Sequence, residues 1–422
     1  MLSPLRPCRR AMTILHARLS RPMSPLSTLP DGPGLADFIV SSAPPRKDPP
    51  ASNSIELLGL SLDEIRQIII EKAPKLLANK SYLPQQIVDA VYRQGVCQFD
   101  GITTLSKPTR EALSQIFHID HMDMHKQLVS TDGTTKWLLG YGTAANVEAV
   151  FIPKPQPDTP AEEVSGTVCI SSQVGCSLSC SFCHTGTQKL LRNLTAGEIL
   201  SQVMHSMRQI GDYPLARAKA RQISNIVLMG QGEPLYNFRA VSKAVKLMQS
   251  QLRFTPWRIT LSTSGVVPLM GRISEDLQCG LAVSLHAVTD ELRDVLVPIN
   301  KTYNITDLMR GCNAYLGGMK QNKHRRITFE YVMLDGVNDS PSEARQLARL
   351  ISALPAHVNL LPFNPWPGSI YRTSPDRRVI EFAEIIRSKG IHCNIRTPRG
   401  RDIMAACGQL RSSEELKARA KE

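Results

Sequence analysis

The sequence lacks long apolar runs, and its cysteines do not form the pattern of a disulfide-rich protein. No stretch approaches the roughly 18 apolar residues that a membrane-spanning helix needs, so we expect no membrane partner. Ten cysteines in 422 residues are too few and too unevenly placed for a small secreted disulfide scaffold. These absences favour a soluble protein in a reducing compartment.

The first 30 residues contain no acidic residue and lack the long apolar region of a secretory signal. They carry five arginines: Arg6, Arg9, Arg10, Arg18 and Arg21. This composition predicts a transit peptide and a location in the mitochondrial or another organelle matrix. A disordered basic tail, or a start codon placed too far upstream in a bacterial gene for a cytoplasmic enzyme, is the alternative. We assign residues 1–53 to a leader and linker.

The composition that is present favours a large folded enzyme with an anionic partner. Hydrophobic residues make up 42% of the chain, which is enough for a substantial core at this length. The formal net charge is +13, from 50 Lys and Arg against 37 Asp and Glu. An excess of positive charge of this size indicates nucleic acid or phosphate as a partner.

Two regions precede the main domain. Residues 54–128 read as a small helical domain, because Ser61 and Glu64 have the spacing of a capping box and Pro84 and Gly95 mark the two ends of a second helix. Residues 129–166 contain two alternating apolar segments and read as a β-hairpin and linker.

Residues 167–410 alternate short apolar strands with segments of helical pattern, and residues 411–422 form a tail. This alternation predicts an α/β fold with a parallel sheet, either open or closed into a barrel. Polar motifs follow the strands directly: "GQGEP", "STSG", "SLH" and "NPWPG". Because the carboxyl ends of parallel strands share one rim, these motifs are expected to meet there.

Three cysteines, Cys176, Cys180 and Cys183, lie within eight residues in the loop after the first strand. Cys180 to His184 also matches the C-x-x-C-H pattern of haem attachment, and the cysteines with His184 offer four donors for zinc. The missing export signal argues against haem, and the adjacency of Cys183 and His184 argues against one small ion. We favour a [4Fe–4S] cluster with three thiolate ligands and one open iron, the arrangement of radical S-adenosylmethionine (SAM) enzymes.

Five segments together resemble a known family: "SSQVGCSLSCSFCHTGTQKLLRNLTAGEI", "MGQGEPLYNF", "RITLSTSGVVP", "LAVSLHAVTDELRDVLVPINKTY" and "RTPRGRDIMAACGQL". The chain is similar to the RlmN-type dual-specificity methyltransferases, which act on adenine C2 in ribosomal and transfer RNA. The similarity runs from about residue 55 to about residue 415. It implies an incomplete (βα)6 radical SAM barrel with an N-terminal small helical domain and a linking β-hairpin.

The resemblance also implies the cofactors and their contacts. Cys176, Cys180 and Cys183 would hold one [4Fe–4S] cluster, whose open iron binds SAM. The residues that match the family's SAM contacts are Gly232, Glu233, Ser262, Ser284, Leu285, His286 and Asn364. Glycine admits close backbone approach, while the polar side chains supply hydrogen bonds to the ammonium and ribose groups.

Three further residues match the family's reaction machinery. Cys407 would accept a methyl group and carry it to adenine C2, at a cost of two SAM molecules per methylation. Cys169 would resolve the RNA adduct through a transient disulfide with Cys407, and Glu148 would accept a proton. Nearby cations are expected to lower the pKa of Cys407: Arg396, Arg399 and Arg401.

The resemblance implies large-subunit rRNA and tRNA as partners, together with an electron donor such as a flavodoxin or ferredoxin, and a monomer. Candidate RNA contacts are the N-terminal helical domain and the basic segments 320–326 and 396–401. Methylation at adenine C8 by the same chemistry remains an alternative. So do an RNA-binding protein with a structural cluster and a radical enzyme that acts on a small molecule.

Overall fold

The computed structural model describes residues 54–78, 80–141, 145–154, 164–215, 221–318 and 326–411. The predicted leader, nearly all of the predicted tail, and residues 320–325 of the basic segment 320–326 lie outside the described residues. Within the described part of the chain, no helix is long and apolar enough to cross a membrane.

The N-terminal part contains three helices and a two-stranded parallel pair: α1 (Leu62–Lys72), α2 (Leu83–Val88), α3 (Lys107–Ile116), β1 (Ile55–Glu56) and β2 (Phe117–His118). The predicted capping box begins α1. The backbone N–H of Glu64 donates to the Ser61 hydroxyl, and the backbone N–H of Ser61 donates to the Glu64 carboxylate at 2.7 Å. Ile65 and Ile69 on the opposite face are buried, so packing holds a helix whose first turn is satisfied locally.

A ten-stranded sheet forms the centre of the molecule, and its first three strands are antiparallel. These strands are β3 (Asp123–Val129), β4 (Thr135–Gly140) and β5 (Val147–Pro153). The predicted hairpin is therefore present as β4 and β5, whereas β3 lies in a segment that the sequence assigned to the helical domain. Six of the seven positions of β3 are exposed, so the strand has no alternating apolar pattern by which the sequence could reveal it.

Seven parallel strands continue the sheet in chain order, one more than the six expected βα units. They are β6 (Gly166–Cys169), β9 (Ile223–Leu228), β10 (Ile259–Thr263), β11 (Gly280–Ser284), β12 (Ile327–Met333), β13 (Ala356–Pro362) and β14 (His392–Ile395). The short strands β7 (Gln173–Val174) and β8 (Arg192–Asn193) pair antiparallel beside the sheet. Strands β9 to β13 overlap the five segments that the alternation predicts as strands: "NIVLMG", "RITLSTSG", "LAVSLH", "RITFEYVML" and "HVNLLPFN".

Helices connect the parallel strands: α4 (Ala196–Ile210), α5 (Phe238–Ser250), α6 (Val267–Arg272), α7 (Asp290–Leu296), α8 (Ile305–Gly317), α9 (Pro341–Ile351) and α10 (Asp376–Arg387). The first of them, α4, begins at a capping box of Thr195 and Glu198 and ends at Gly211 in the left-handed conformation. Glu198 also accepts two hydrogen bonds from the Arg192 guanidinium, at 2.7 and 2.8 Å. The start of α4 is thereby fixed to β8, which follows the cysteine loop.

Candidate active site

One cavity lies at the carboxyl ends of the parallel strands, and ten of the thirteen predicted site residues line it. These ten are Cys176, Cys180, Cys183, Gly232, Glu233, Ser262, Ser284, His286, Asn364 and Cys407. The register explains the convergence, because Ser262 pairs with Ala282 and Ser284 pairs with Glu330 on successive parallel strands. Strand ends in this register meet at one rim. Glu148, Cys169 and Leu285 do not line the cavity.

The cysteine loop is held at both ends by the pairing of β7 with β8. Within it, the backbone N–H of Cys183 donates to the carbonyl of Cys180 at 3.1 Å, and Ser181 N–H donates to the carbonyl of Leu296 at 3.1 Å. Burial raises the pKa of all three thiols, to about 12 at Cys176. The loop thus presents three enclosed sulfur atoms to one cavity.

The donor set fits a cluster better than a single ion. Among the described residues, no three His, Cys, Asp or Glu side chains lie close enough together to hold one metal ion. That spacing argues against the zinc alternative, whereas the ligands of a [4Fe–4S] cluster bind separate irons and need not converge on one point. His184 is engaged elsewhere, with Nδ1 3.3 Å from the carbonyl of Gln409 and Nε2 3.0 Å from the guanidinium of Arg411.

The turn after β9 brings backbone into the cavity at Gly232. Its φ is +98°, and a Cβ added there would lie 2.6 Å from Cβ of Gln173, so only glycine fits without displacement. The neighbouring Glu233 is buried, and its carboxylate accepts from the backbone N–H of Leu235 at 3.1 Å and of Ser264 at 2.8 Å. Burial raises the pKa of Glu233 to about 7.

A fully buried arginine, which sequence reasoning missed, holds the next part of the rim. Arg293 on α7 donates to the carbonyls of Ser264, Ser284 and Leu285, at 2.6, 3.1 and 3.1 Å. It also donates to the side chain of Asn300 at 2.9 Å. The ends of β10 and β11 are therefore fixed by one side chain. The only feature of the sequence that points to a buried arginine here is its position among the apolar residues of "DELRDVL".

His286 follows β11 with a positive φ of 61° and is buried. Its Nδ1 accepts from the backbone N–H of Val332 at 3.0 Å, and its ring meets Phe182 edge to face, with the centroids 4.7 Å apart. Burial and the nearby Arg293 charge lower the pKa of His286 to about 3. The imidazole is therefore neutral and fixed by its neighbours.

Cys407 is exposed to the cavity on the segment that follows the last strand. Asn364 donates to the carbonyl of Cys407 at 3.2 Å, and Arg401 donates to the Asn364 side chain at 2.7 Å. The expectation of a lowered pKa was wrong. Surrounding protein and the Glu330 carboxylate raise the pKa of Cys407, and Arg396 offsets this only in part. Arg399 lies 4.0 Å from Asp132 instead.

Cys169 lies behind the cavity at the end of β6. It belongs to a small apolar cluster with Val150, Ala405 and Leu410, two of which flank Cys407 in the chain. Burial and the proximity of Cys407 raise the pKa of Cys169 to about 12. No disulfide is present in the described chain, so the expected pair consists here of two free thiols.

Glu148 forms a buried ion pair with Lys136, with 2.8 Å between Lys136 Nζ and Glu148 Oε1. Its other carboxylate oxygen accepts from the backbone N–H of Arg411 at 2.7 Å. Burial raises the pKa of Glu148 and the Lys136 charge opposes that shift. Both oxygens are thus engaged next to the segment that carries Cys407, and sequence reasoning missed Lys136.

Comparisons with known proteins identify the family of this chain. Residues 170–348 match the model of the Radical SAM superfamily. The chain is 47% identical over 396 residues to the dual-specificity RNA methyltransferase RlmN of Rhizobium leguminosarum bv. trifolii, covering 90% of this chain and 94% of the relative. The chain belongs to the RlmN family. It is also 48% identical over 382 residues to the RlmN protein of Dinoroseobacter shibae, covering 88% of this chain and 92% of that protein.

A solved structure supports the fold assignment for this RlmN-family chain. A radical SAM methyltransferase from Sphaerobacter thermophilus superimposes with a TM-score of 0.74 at 39% identity, covering 85% of this chain and 99% of that one. Membership of the radical SAM superfamily implies a [4Fe–4S] cluster and SAM. Three thiols line one cavity, next to a turn where only glycine fits without displacement. This arrangement fits a [4Fe–4S] cluster and SAM.

Proposed function

We propose that this RlmN-family enzyme methylates C2 of adenine in large-subunit rRNA and in tRNA next to the anticodon. The observation that carries the proposal is that Cys407 lines the same cavity as the three cysteines of the cluster loop. Adenine C2 lies between two ring nitrogens and is electron-poor, so it does not attack an electrophilic methyl group. A radical route through a methyl-bearing residue removes that obstacle.

The residues of the rim divide into two binding sets. Cys176, Cys180 and Cys183 hold the cluster, and the residues that hold SAM are Gly232, Glu233, Ser262, Ser284, Leu285, His286 and Asn364. When bound, the cluster and SAM supply a methyl group and a 5′-deoxyadenosyl radical. Glu233 provides an anionic oxygen for the SAM ammonium group. Leu285 lies outside the cavity and contributes only through its backbone, which holds the neighbouring Ser284 and His286 in place.

Cys407 is the methyl carrier. As a thiolate it would accept a methyl group on Sγ and would give up one hydrogen atom of that group to the 5′-deoxyadenosyl radical. The remaining CH2 group would bond to C2 of the adenine, with the surplus electron returning to the cluster. Cys169 then attacks Sγ of Cys407, so that an S–S bond forms and the S–C bond breaks. The electron pair of the broken bond stays with the new methyl carbon, which takes up a proton, and an external thiol reductant reopens the disulfide.

Glu148 accepts the proton that leaves C2. Burial raises the pKa of Glu148, which favours proton uptake by this carboxylate. Because both carboxylate oxygens are bonded in this structure, Glu148 reaches the adenine only after the backbone of Arg411 moves away.

The wider assignments follow the same family. We assign residues 54–128 to an RNA-binding helical domain, residues 129–166 to the linking hairpin, and residues 167–410 to an incomplete (βα)6 barrel, with a leader before them and a tail after them. A flavodoxin or ferredoxin-type protein supplies electrons to the monomer. The leader directs the protein to the mitochondrial or another organelle matrix, or the protein acts in the bacterial cytoplasm.

A nucleoside profile tests the function. The full chain is expressed in bacteria that lack their own 2-methyladenosine enzyme, and digested tRNA and rRNA are analysed by mass spectrometry. We expect 2-methyladenosine in both RNAs, and none with Cys407→Ala. If 8-methyladenosine replaces it, the alternative chemistry at C8 is correct. If no base is methylated while the purified holoenzyme binds RNA and keeps its iron, the protein is an RNA-binding protein with a structural cluster.

A further inference from the structure

The buried ion pair of Lys136 and Glu148 contacts the Cys407 segment on both sides of the cysteine. Lys136 Nζ lies 2.8 Å from Glu148 Oε1 and donates to the carbonyl of Met404 at 3.0 Å. The backbone N–H of Arg411 donates to Glu148 Oε2 at 2.7 Å. Met404 precedes Cys407 and Arg411 follows it, so a single ion pair holds both ends of residues 404–411.

Both residues of the ion pair lie on paired strands of the sheet. Lys136 on β4 and Glu148 on β5 are diagonal neighbours on one face, because Glu148 pairs directly with Leu138. The backbone of Glu148 is fixed as well: its N–H donates to the Gln231 side chain at 3.0 Å, and its carbonyl accepts from the Ser171 hydroxyl at 2.8 Å. Movement of the Cys407 segment is therefore restrained relative to the strands.

The restrained segment also determines where Cys407 lies relative to Cys169. Ala405 and Leu410, inside the segment, pack in the four-residue cluster that contains Cys169. That cluster is small, and four partly buried apolar side chains pack against it. The two contacts at the ends of the segment involve charged groups, and hydrogen bonds to charged groups are roughly twice as strong as neutral ones.

We propose that Lys136 is a positioning residue that keeps Cys407 close to Cys169 through its ion pair with Glu148, which we call the clamp. The inference rests on the proposed roles of the two cysteines. It explains why a lysine is buried on a strand outside the cavity, because a buried ion pair costs desolvation energy and contributes little stability of its own. Lys246, on α5, is exposed and provides a control for loss of one positive charge.

The test measures the proximity of the two thiols in the anaerobic holoenzyme. In a glutathione redox buffer, oxidised glutathione converts the two thiols to a disulfide and is itself reduced to two molecules of glutathione. Mass spectrometry of the linked peptides gives the effective concentration of one thiol at the other. We expect Lys136→Met to lower that value at least tenfold and Lys246→Met to leave it unchanged. An equal value in all three proteins overturns the proposal.

A second variant and a second readout cover misfolding and a failed disulfide. Lys136→Met with Glu148→Leu replaces the pair by apolar side chains, which avoids leaving one charge buried alone. This double variant is expected to keep the melting temperature and still show the tenfold loss. If the unaltered protein forms no disulfide, the role of Cys169 fails. The rate at which iodoacetamide alkylates Cys407 then decides: a rise of threefold or more in Lys136→Met supports the clamp, and an unchanged rate refutes it.

Discussion

The imidazole of His184 lies flat on the indole of Trp366, with ring centroids 4.7 Å apart and planes 6° from parallel. The contact joins the cysteine loop to the loop after β13. Trp366 also donates from its indole N–H to the carbonyl of Phe182 at 3.0 Å, and the backbone N–H of His184 donates to the carbonyl of Gly408 at 2.8 Å. The loops that follow the first and the sixth parallel strands are thus held together beside the cluster site.

Replacing His184 should separate the stacking contact from the polar contacts. His184→Ala removes the stacking contact and the side-chain contacts with Gln409 and Arg411, and we expect the free energy of unfolding to fall by about 2 kcal/mol. His184→Phe keeps an aromatic ring on Trp366 and should lose about half as much. Urea unfolding of the anaerobic holoenzyme measures both changes, with the exposed His125→Ala as the control. Equal losses for Ala and Phe would assign the effect to the polar contacts alone.

Gly232 tests the close approach of backbone to the cavity. Gly232→Ala and Gly336→Ala both place a side chain at positive φ, which costs on the order of 1 kcal/mol. Only at Gly232 does the new Cβ also meet another residue, because Gly336 has no atom within 4 Å of that position. We expect Gly232→Ala to weaken SAM binding at least tenfold in equilibrium dialysis, and Gly336→Ala to leave it unchanged. Similar affinities would show that the turn does not border the SAM site.

Arg293 should stabilise the ends of β10 and β11 at the rim of the cavity. Arg293→Met removes a charged donor from three carbonyls and from Asn300, all at buried or half-buried positions. Losing such a network costs about 3 to 5 kcal/mol, so we expect a marked fall in melting temperature. The matched control is Arg310→Met, whose exposed pair with Asp307 contributes little. A melting temperature within a degree of the unaltered protein for Arg293→Met would contradict the assigned role.

The stability of the fold should decrease in mild acid because of two enclosed histidines. Burial and the charge of Arg208 lower the pKa of His121 and of His205 to about 4. Both folded-state values lie below the unfolded value of about 6.5, so only the unfolded chain gains these protons as the pH falls from 6.5 towards 4. The free energy of unfolding therefore decreases over that window.

Each of these histidines contributes a slope of about 1 kcal/mol per pH unit. His121→Gln should remove one such contribution from urea unfolding curves recorded between pH 7 and pH 5. His125→Gln, at an exposed position on β3, should leave the slope unchanged. The same slope in His121→Gln as in the unaltered protein would exclude the predicted uptake of a proton.

The sequence was sufficient for six of the seven strands of the parallel sheet, all except β14, and for most of the residues that line the cavity. Apolar strands with polar residues at their ends predict which side chains share a rim, because parallel strands place those ends together. Gly232, Ser262 and Ser284 could be placed in this way before any distance was known. The strand β3 could not, since a mostly exposed edge strand carries no alternating apolar pattern.

The partners of buried charges were beyond prediction from the sequence. Lys136 and Glu148 are twelve positions apart on two strands. Arg293 donates to backbone carbonyls, which every residue has, so the sequence does not identify its partners. The pKa of Cys407 was predicted in the wrong direction for a related reason. Three nearby arginines were visible in the sequence, but the protein that surrounds the thiol in the cavity and the approach of Glu330 from another strand were not.

The position of Cys407 in the chain has a consequence for the order of assembly. Every strand of the sheet, the cysteine loop and the ion pair of Lys136 and Glu148 precede residues 404–411 in the sequence. The residues that receive this segment are therefore all synthesised before the segment itself. Loading of the cluster through an open rim, followed by docking of Cys407 over it, is the sequence of events that this chain order permits.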